Sequence, residues 1–411
     1  MSASPPRSLS AEWLRWPETQ AVFAALAAKG HNARAVGGAV RNALTDQAVP
    51  GVDIAPVALP PEVTAAAQAA GLKAIPTGLD HGTVTVIADG RPHEVTTLRK
   101  DVATHGRHAT VAFTDDWTAD ARRRDFRVNA LYCSAGGEVF DPLGGYADVV
   151  ARRVRFIGDP VARIREDYLR ILRFFRFSAA FGTGDPDAAA LAACVRERDG
   201  LAILSAERVR QELMRLLSAP RAAGIVGVMF DHGLIASVLG AAPRPALLTR
   251  LAAIETANGL QPDPVLRLAV LAMAVVDDVE RLRDRLRLSN DEADVLALAA
   301  GSVPDLSSER AARACLYAEG AHTYRRRVLL GWVASADAPE NEARRQCLTL
   351  PDRWAAPRLP IGGDEAIALG VPAGPRIGDL LRQLEGWWIS GDFAANETQL
   401  REKLKQLAAA G

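Results

Sequence analysis

The chain reads GGAVRNALTDQAVPGVDI at 37–54. A glycine pair that leads into a helix lets backbone amides approach phosphate oxygens closely, and Arg41, one turn further on, can fork onto the same oxygens. Gly37, Gly38 and Arg41 are therefore candidates for an anion site; a tight strand-to-helix turn with a surface arginine is the plainer alternative. Asp53 ends the polar part of the stretch and opens a short apolar run. Alternate strand residues point to one face, so a carboxylate at 51 would form with Asp53 the two-pronged magnesium clamp that aligns nucleotidyl transfer. Residue 51 is glycine, so one prong is absent. Glu94, in HEVTTLR, can add a carboxylate from a neighbouring strand, although a half-exposed strand glutamate needs no such role.

Two arginine-rich segments follow. In DARRRDFRVNALY (120–132) three arginines, Arg124 the last of them, run into Asp125 and then an apolar alternation, Phe126, Val128 and Ala130. Charges so close to a buried element face a polar ligand or each other. In REDYLRILRFFRF (165–177), read as one helix, Asp167, Arg170, Arg173 and Arg176 follow at i+3 spacing while Leu169, Leu172, Phe174, Phe175 and Phe177 face a core. An aspartate accepts from an exocyclic amine and an arginine donates to a ring acceptor. Asp167 with Arg170 thus complements cytosine and adenine, whereas uracil and guanine would set a carbonyl oxygen against the carboxylate. Arg173 and Arg176 would lie toward phosphates. An ion-pair ladder on a solvated face is the competing reading.

The elements that must position these residues change character along the chain. Apolar positions at helical spacing predict a helix within 11–30, ended at Gly30. Between 33 and 149, short β-rich runs such as TVTVIA (83–88) and HEVTTL (93–98) alternate with DG and GG turns, which predicts a mixed α/β region. After Arg163 strand signals stop, and helical segments continue, interrupted at 182–186, 242–246 and 356–364. With 49 basic and 49 acidic residues, a nucleic-acid partner has to be argued from local clusters, of which 152–176, with eight arginines and three acids, is one. Cys133, Cys194, Cys315 and Cys347 form no close pair, which argues against a disulfide framework or a zinc knuckle and for a reducing cytoplasm. MSASPPRSLS at 1–10 has no apolar signal core, and 268–276 is too short to span a bilayer, so no membrane association is expected.

Taken together, GGAVRN, VDIA, HGTVTV, HEVTTLRKD, GRHA, RRRDFRVNALY, DPLGGYAD, REDYLRILRFFRF and SAERVRQEL resemble, in order and spacing, the tRNA nucleotidyltransferase and poly(A) polymerase family of the bacterial CCA-adding type (class II); GPRIGDLLRQLEGWW resembles its tail. The resemblance implies an α+β protein: a nucleotidyltransferase head with a mixed sheet and helices at 1–150, then an all-α neck bearing the nucleotide-template helix at 151–220 and a helical body and tail for tRNA at 221–411. It implies addition of CMP, CMP and AMP to the tRNA 3′ end from CTP and ATP, with Mg2+. Gly37, Gly38 and Arg41 would hold the triphosphate, and Asp53, as the second aspartate of the family's metal-binding DxD, would hold the metal; Asp53 and Glu94 are the candidates for the catalytic step. Arg124, Asp125, Asp167, Arg170, Arg173 and Arg176 would contact the nucleotide. The chain departs from the family pattern at Gly51 (Asp), Asn42 (Asp), Asp46 (Gly) and Pro56 (Thr). The same residues would serve a relative adding only A or only C, or making poly(A). Gly51 also admits a silent tRNA- or nucleotide-binding homologue. His232, after Asp231, has no second His-Asp cluster with it and reads as surface loop rather than a phosphohydrolase centre.

Overall fold

The computed structural model describes residues 5–6, 8–105, 108–301, 306 and 308–409. Gly106 and Arg107 of the GRHA motif, and Met1–Ser4 and Arg7 of the opening segment, lie outside the described residues. The chain divides into two compact units, Met1–Pro243 with Asp284–Arg287, and Arg244–Arg283 with Leu288–Gly411.

In the first unit a seven-stranded mixed sheet is built from β1 (Ala33–Val36), β2 (Asp53–Pro56), β3 (Lys73–Gly78), β4 (Thr83–Ala88), β5 (Arg91–Thr96) and, after a separate hairpin of β6 (Arg99–His105) and β7 (His108–Phe113), β8 (Tyr132–Ser134) and β9 (Val139–Phe140). The order is β3-β4-β5-β2-β1-β8-β9, with β2 and β5 parallel and the other paired neighbours antiparallel. Alternation along TVTVIA is realised in β4, where Val84, Val86 and Ala88 are buried and the threonines are not. Helix α1 (Pro17–Ala27) is shorter than the spacing over 11–30 predicts: Pro17 starts it after a 3-10 turn, and Gly30 lies beyond it in the left-handed region.

Helices α2 (Gly38–Ala43), α3 (Pro60–Ala69), α4 (Trp117–Arg122) and α5 (Tyr146–Val150) accompany the sheet, and from Pro160 onward the described backbone is helical. Helices α6 (Pro160–Glu166) and α7 (Leu169–Ala180) divide REDYLRILRFFRF between them. Asp167 separates the two in extended conformation (φ −156, ψ 106). The single helix expected over that segment is therefore broken. The aspartate accepts from Leu169 N at 3.1 Å with its own side chain, a local bond that competes with helix continuation. Along α7 the five expected core residues are buried as the spacing implied. Phe126 packs against Phe156, Phe174 and Phe177, which ties α7 to the turn after α4. Phe126, Val128 and Ala130 are buried from a 3-10 turn, Arg127–Asn129, rather than from a strand. Helices α8 (Ala188–Arg196) and α9 (Ala206–Leu217) follow; α9 presents Val209, Leu213, Leu216 and Leu217 to the core.

The second unit is helical. Trp332 and Tyr324, both fully buried, centre one core with Leu251, Leu266 and Leu350, while Leu384, Trp388, Leu400 and Leu404 form another around the helices Pro375–Ser390 and Glu397–Ala409.

Candidate nucleotide site

The register of β1 against β2 pairs Val36 with Asp53, so the turn that follows β1 stands beside the start of β2. Gly37 turns there with φ 70, a conformation that favours glycine, and its N–H donates to Leu131 O at 3.2 Å. Arg41 on α2 donates through Nη1 to Asn129 Oδ1 (2.5 Å) and through Nε and Nη2 to Asn42 Oδ1 (3.1 and 2.9 Å), and its guanidinium lies 5.4 and 5.2 Å from the rings of Phe177 and Phe181. These hydrogen-bond partners are neutral amides. Burial, then the charge of Arg176, brings the Arg41 pKa down to about 10. The result is a positioned cation whose charge is left for an anion.

Asp53 is exposed at the start of β2, with Ile54 buried behind it. The parallel pairing of Ile54 with Val95 puts Glu94 on β5 level with Asp53 and on the same face. Desolvation, then the Glu94 charge, pushes the Asp53 carboxyl above the usual carboxylate range, against the pull of Arg124. A hard divalent cation relieves such crowding, so the donor chemistry of this pair fits one ion. Among the described residues no group of three or more His, Cys, Asp or Glu side chains is arranged to hold a metal. Asp46 does not supply the missing carboxylate: it is exposed, sits at φ 54 after α2, and is not on the cleft wall. An aspartate tolerates that left-handed position, where glycine is the usual solution.

Arginines wall the rest of the site, most of them pinned by acids. Asp120, 1% exposed, accepts from Arg123 Nε (2.9 Å), Arg124 Nη2 (3.0 Å) and Tyr132 Oη (2.8 Å). Arg173 donates to Asp125 Oδ2 (2.5 Å), while Asn129 Nδ2 and Phe126 N donate to Oδ1 of the same carboxylate. Burial alone would push the Asp125 carboxyl up, but Arg173 together with the hydrogen bonds from Asn129 and Phe126 N outweighs it and keeps the group below the usual range. Arg176 donates to buried Glu212 (2.5 Å). Arg170 donates to Glu166 (2.5 Å) and to Arg163 O (2.8 Å); Arg163 in turn donates to Glu166 and to the carbonyls of Arg123 and Arg124. One chain of bonds thus connects the end of α4 to Arg170.

Gly37, Gly38, Arg41, Asp53, Arg124, Asp125, Asp167, Arg170, Arg173 and Arg176 all line a single cleft of about 830 Å3, together with Arg99, Arg123, Asn129, Phe177 and Arg215. Glu94 is not on its wall and stands beside Asp53 on the next strand. Sequence reasoning passed over Asp120, Asn129, Arg163, Glu166, Arg208 and Glu212, which hold the wall in place. Asp120, Asn129, Arg163 and Glu166 carried a local signal, their i+3 or i+4 relations to Arg123 and Arg124, to Asp125, and to Glu166 and Arg170. Arg208 and Glu212 carried none toward Asp167 and Arg176, the cleft residues they hold.

Residues 33–155 match the poly(A) polymerase head domain, and 185–245 match a probable RNA and SrmB-binding site of polymerase A. The mouse mitochondrial CCA tRNA nucleotidyltransferase 1 is 33% identical over 409 residues, covering 96% of this chain and 93% of that one. The CCA-adding enzyme of Geobacillus kaustophilus is 33% identical over 364 residues, covering 86% and 87%. Among solved structures, the Bacillus stearothermophilus CCA-adding enzyme in complex with CTP superposes with TM-score 0.71 at 26% identity, covering 96% of this chain and 97% of that one. The Thermotoga maritima CCA-adding enzyme complexed with tRNA shares the fold, with TM-score 0.65 at 20% identity and coverage of 94% of each chain. Among the described residues no helix is long and apolar enough to cross a membrane.

Proposed function

The chain belongs to the CCA-adding tRNA nucleotidyltransferase family, and on that premise we propose that it adds CMP, CMP and AMP to the 3′ end of tRNA from CTP and ATP, releasing pyrophosphate. One observation carries this reading: a base-complementing pair, Asp167 and Arg170, shares a single cleft with a wall of arginines and with the carboxylate of Asp53. Asp167 accepts from the amine of cytosine or adenine and Arg170 donates to the neighbouring ring nitrogen. Arg41, Arg124, Arg173 and Arg176 neutralise the triphosphate and the departing pyrophosphate, held in place beforehand by Asn42, Asn129, Asp120, Asp125 and Glu212. Asp53 and Glu94 would hold one Mg2+, which when bound supplies charge at the reacting phosphate and the 3′-hydroxyl. Residues 1–150 serve as the catalytic head, 151–220 as the neck carrying the reading pair, and 221–411 as the body and tail that take the tRNA by shape and phosphate contacts. The four unpaired cysteines support a reducing compartment such as the cytoplasm.

Gly51 favours a second reading, in which the cleft binds nucleotide and tRNA without turnover. Incorporation of labelled CMP and AMP into a tRNA lacking its 3′ CCA, with magnesium and with EDTA, tests both. Metal-dependent incorporation by the unaltered chain supports the enzyme; binding without incorporation supports the silent homologue.

Because Arg41 has amide partners only, it acts on the triphosphate and not on the base. Arg41→Ala is expected to weaken CTP and ATP binding equally, by about tenfold or somewhat more, as befits one charge-assisted contact. Calorimetric titration with each nucleotide checks it; a loss confined to one base would assign Arg41 to base recognition instead.

A further inference from the structure

We propose that Arg208 is a specificity-determining positioning residue, which holds the Asp167 carboxylate in the orientation that accepts an exocyclic amine and acts on the nucleotide only through Asp167. The inference rests on the reading of Asp167 and Arg170 as the base-recognising pair.

Asp167 has no helix of its own to set its side chain, since it is the extended residue between α6 and α7. Rotation about the bond between its Cβ and the carboxyl carbon is soft, as for any sp3–sp2 torsion. Two bonds remove that freedom. Oδ1 accepts from Leu169 N at 3.1 Å, and Oδ2 accepts from Arg208 Nη2 at 2.7 Å. The first comes from the same turn of chain; the second comes from α9, 41 residues away.

The placement of Arg208 decides its role. Asp167 lines both the nucleotide cleft and a second pocket of about 420 Å3, whose wall also includes Tyr168, Ser205 and Arg208. Arg208 is on the wall of the second pocket and not on that of the cleft. Its guanidinium therefore reaches Asp167 from behind the face the nucleotide would meet. Helix α9 is itself fixed against α7 by buried Val209, Leu213 and Leu216, and by Glu212, which binds Arg176 one turn beyond Arg173. The donor that sets Asp167 is thus registered to the same helix that carries Arg170. Without it, Oδ2 is left facing a pocket large enough to admit water, and the carboxylate can turn away from the cleft.

An amine-bearing base uses the fixed carboxylate, whereas uracil and guanine present a carbonyl there and take no benefit from it. Loss of Arg208 is therefore expected to be selective. The experiment measures equilibrium binding of CTP, ATP, UTP and GTP to the full chain and to Arg208→Ala, Arg208→Lys, Asp167→Ala and the Asp167→Ala/Arg208→Ala double variant. Arg208→Ala is expected to weaken CTP and ATP about tenfold, the worth of one oriented charge-assisted bond, and to leave UTP and GTP unchanged. Arg208→Lys is expected to recover part of the preference. In the Asp167→Ala background the Arg208 substitution should add nothing, because residues acting through one group do not sum. An equal loss for all four nucleotides, or a further loss in the Asp167→Ala background, overturns the proposal while the base reader stands. Binding of all four alike, or of none, by the unaltered chain overturns the base-reading pair and this inference with it.

Discussion

Gly51→Asp raises magnesium-dependent incorporation of CMP and AMP by about two orders of magnitude, the scale on which a misplaced reacting group costs rate. The geometry is permissive. A Cβ built on Gly51 meets nothing within 4 Å, and its backbone is outside the left-handed region, so a side chain enters without strain. Exposure alternates along the strand entry, with Gly51 exposed, Val52 buried, Asp53 exposed and Ile54 buried, so an aspartate at 51 projects to the face that carries Asp53. It would join Asp53 and Glu94 as a third carboxylate and supply the second prong of the proposed magnesium clamp. Surrounding charge favours it too, with Arg41, Arg99, Arg123 and Arg124 around the cleft. The measurement compares initial rates of the two proteins on the same CCA-less tRNA with magnesium and with EDTA. Equal rates would mean that Asp53 and Glu94 suffice and that the second prong is dispensable.

The parts of this site that could be read from the sequence are those whose chemistry is local. The glycine pair and Asp53 sit within one short stretch, and the arginines of α7 repeat at helical spacing, so residue type and interval were informative. The break at Asp167 was not readable, because the apolar and basic periodicity runs on across it while a side-chain bond to Leu169 N ends the helix. The long-range bonds that hold the wall were hidden for a different reason. Glu212 is 36 residues from Arg176 and Arg163 is about 40 from the carbonyls it binds, and only the packing of α6 and α9 brings them together. In the sheet, alternation announced β4, yet the order β5-β2-β1 that sets Glu94 level with Asp53 comes from crossovers that no local pattern encodes.

The largest effect on stability is expected at Asp120, which touches no ligand in the proposed reaction. Its carboxylate is almost wholly buried and accepts from Arg123, Arg124, the Tyr132 hydroxyl and Arg99 N. Burial by itself would raise its pKa; the charges of Arg124 and Arg123, with the hydrogen bonds from Tyr132 and Arg123, outweigh that and hold it at about 2, below the ordinary aspartate range. Arg124 is correspondingly held above the ordinary arginine range: burial opposes its charge, but Tyr132 and Asp120 prevail. Asp120→Asn keeps the shape, removes the charge and leaves two half-buried guanidiniums without their shared anion, which costs about 3 kcal/mol or more. The melting temperature should fall by roughly 6 °C or more for a unit of this size. The acid response has a definite sign. A carboxylate with a depressed folded pKa contributes stability that is present above its unfolded value and is lost as pH falls through the folded one. The native chain should therefore shed roughly 2 kcal/mol from this group between about pH 4 and pH 2, and Asp120→Asn should lack that component. Thermal unfolding followed between pH 7 and pH 3 for both proteins tests it, since the stability gap between them must narrow as the pH falls. A constant gap would mean that Asp120 stabilises the arginine wall through its hydrogen bonds and packing rather than its charge.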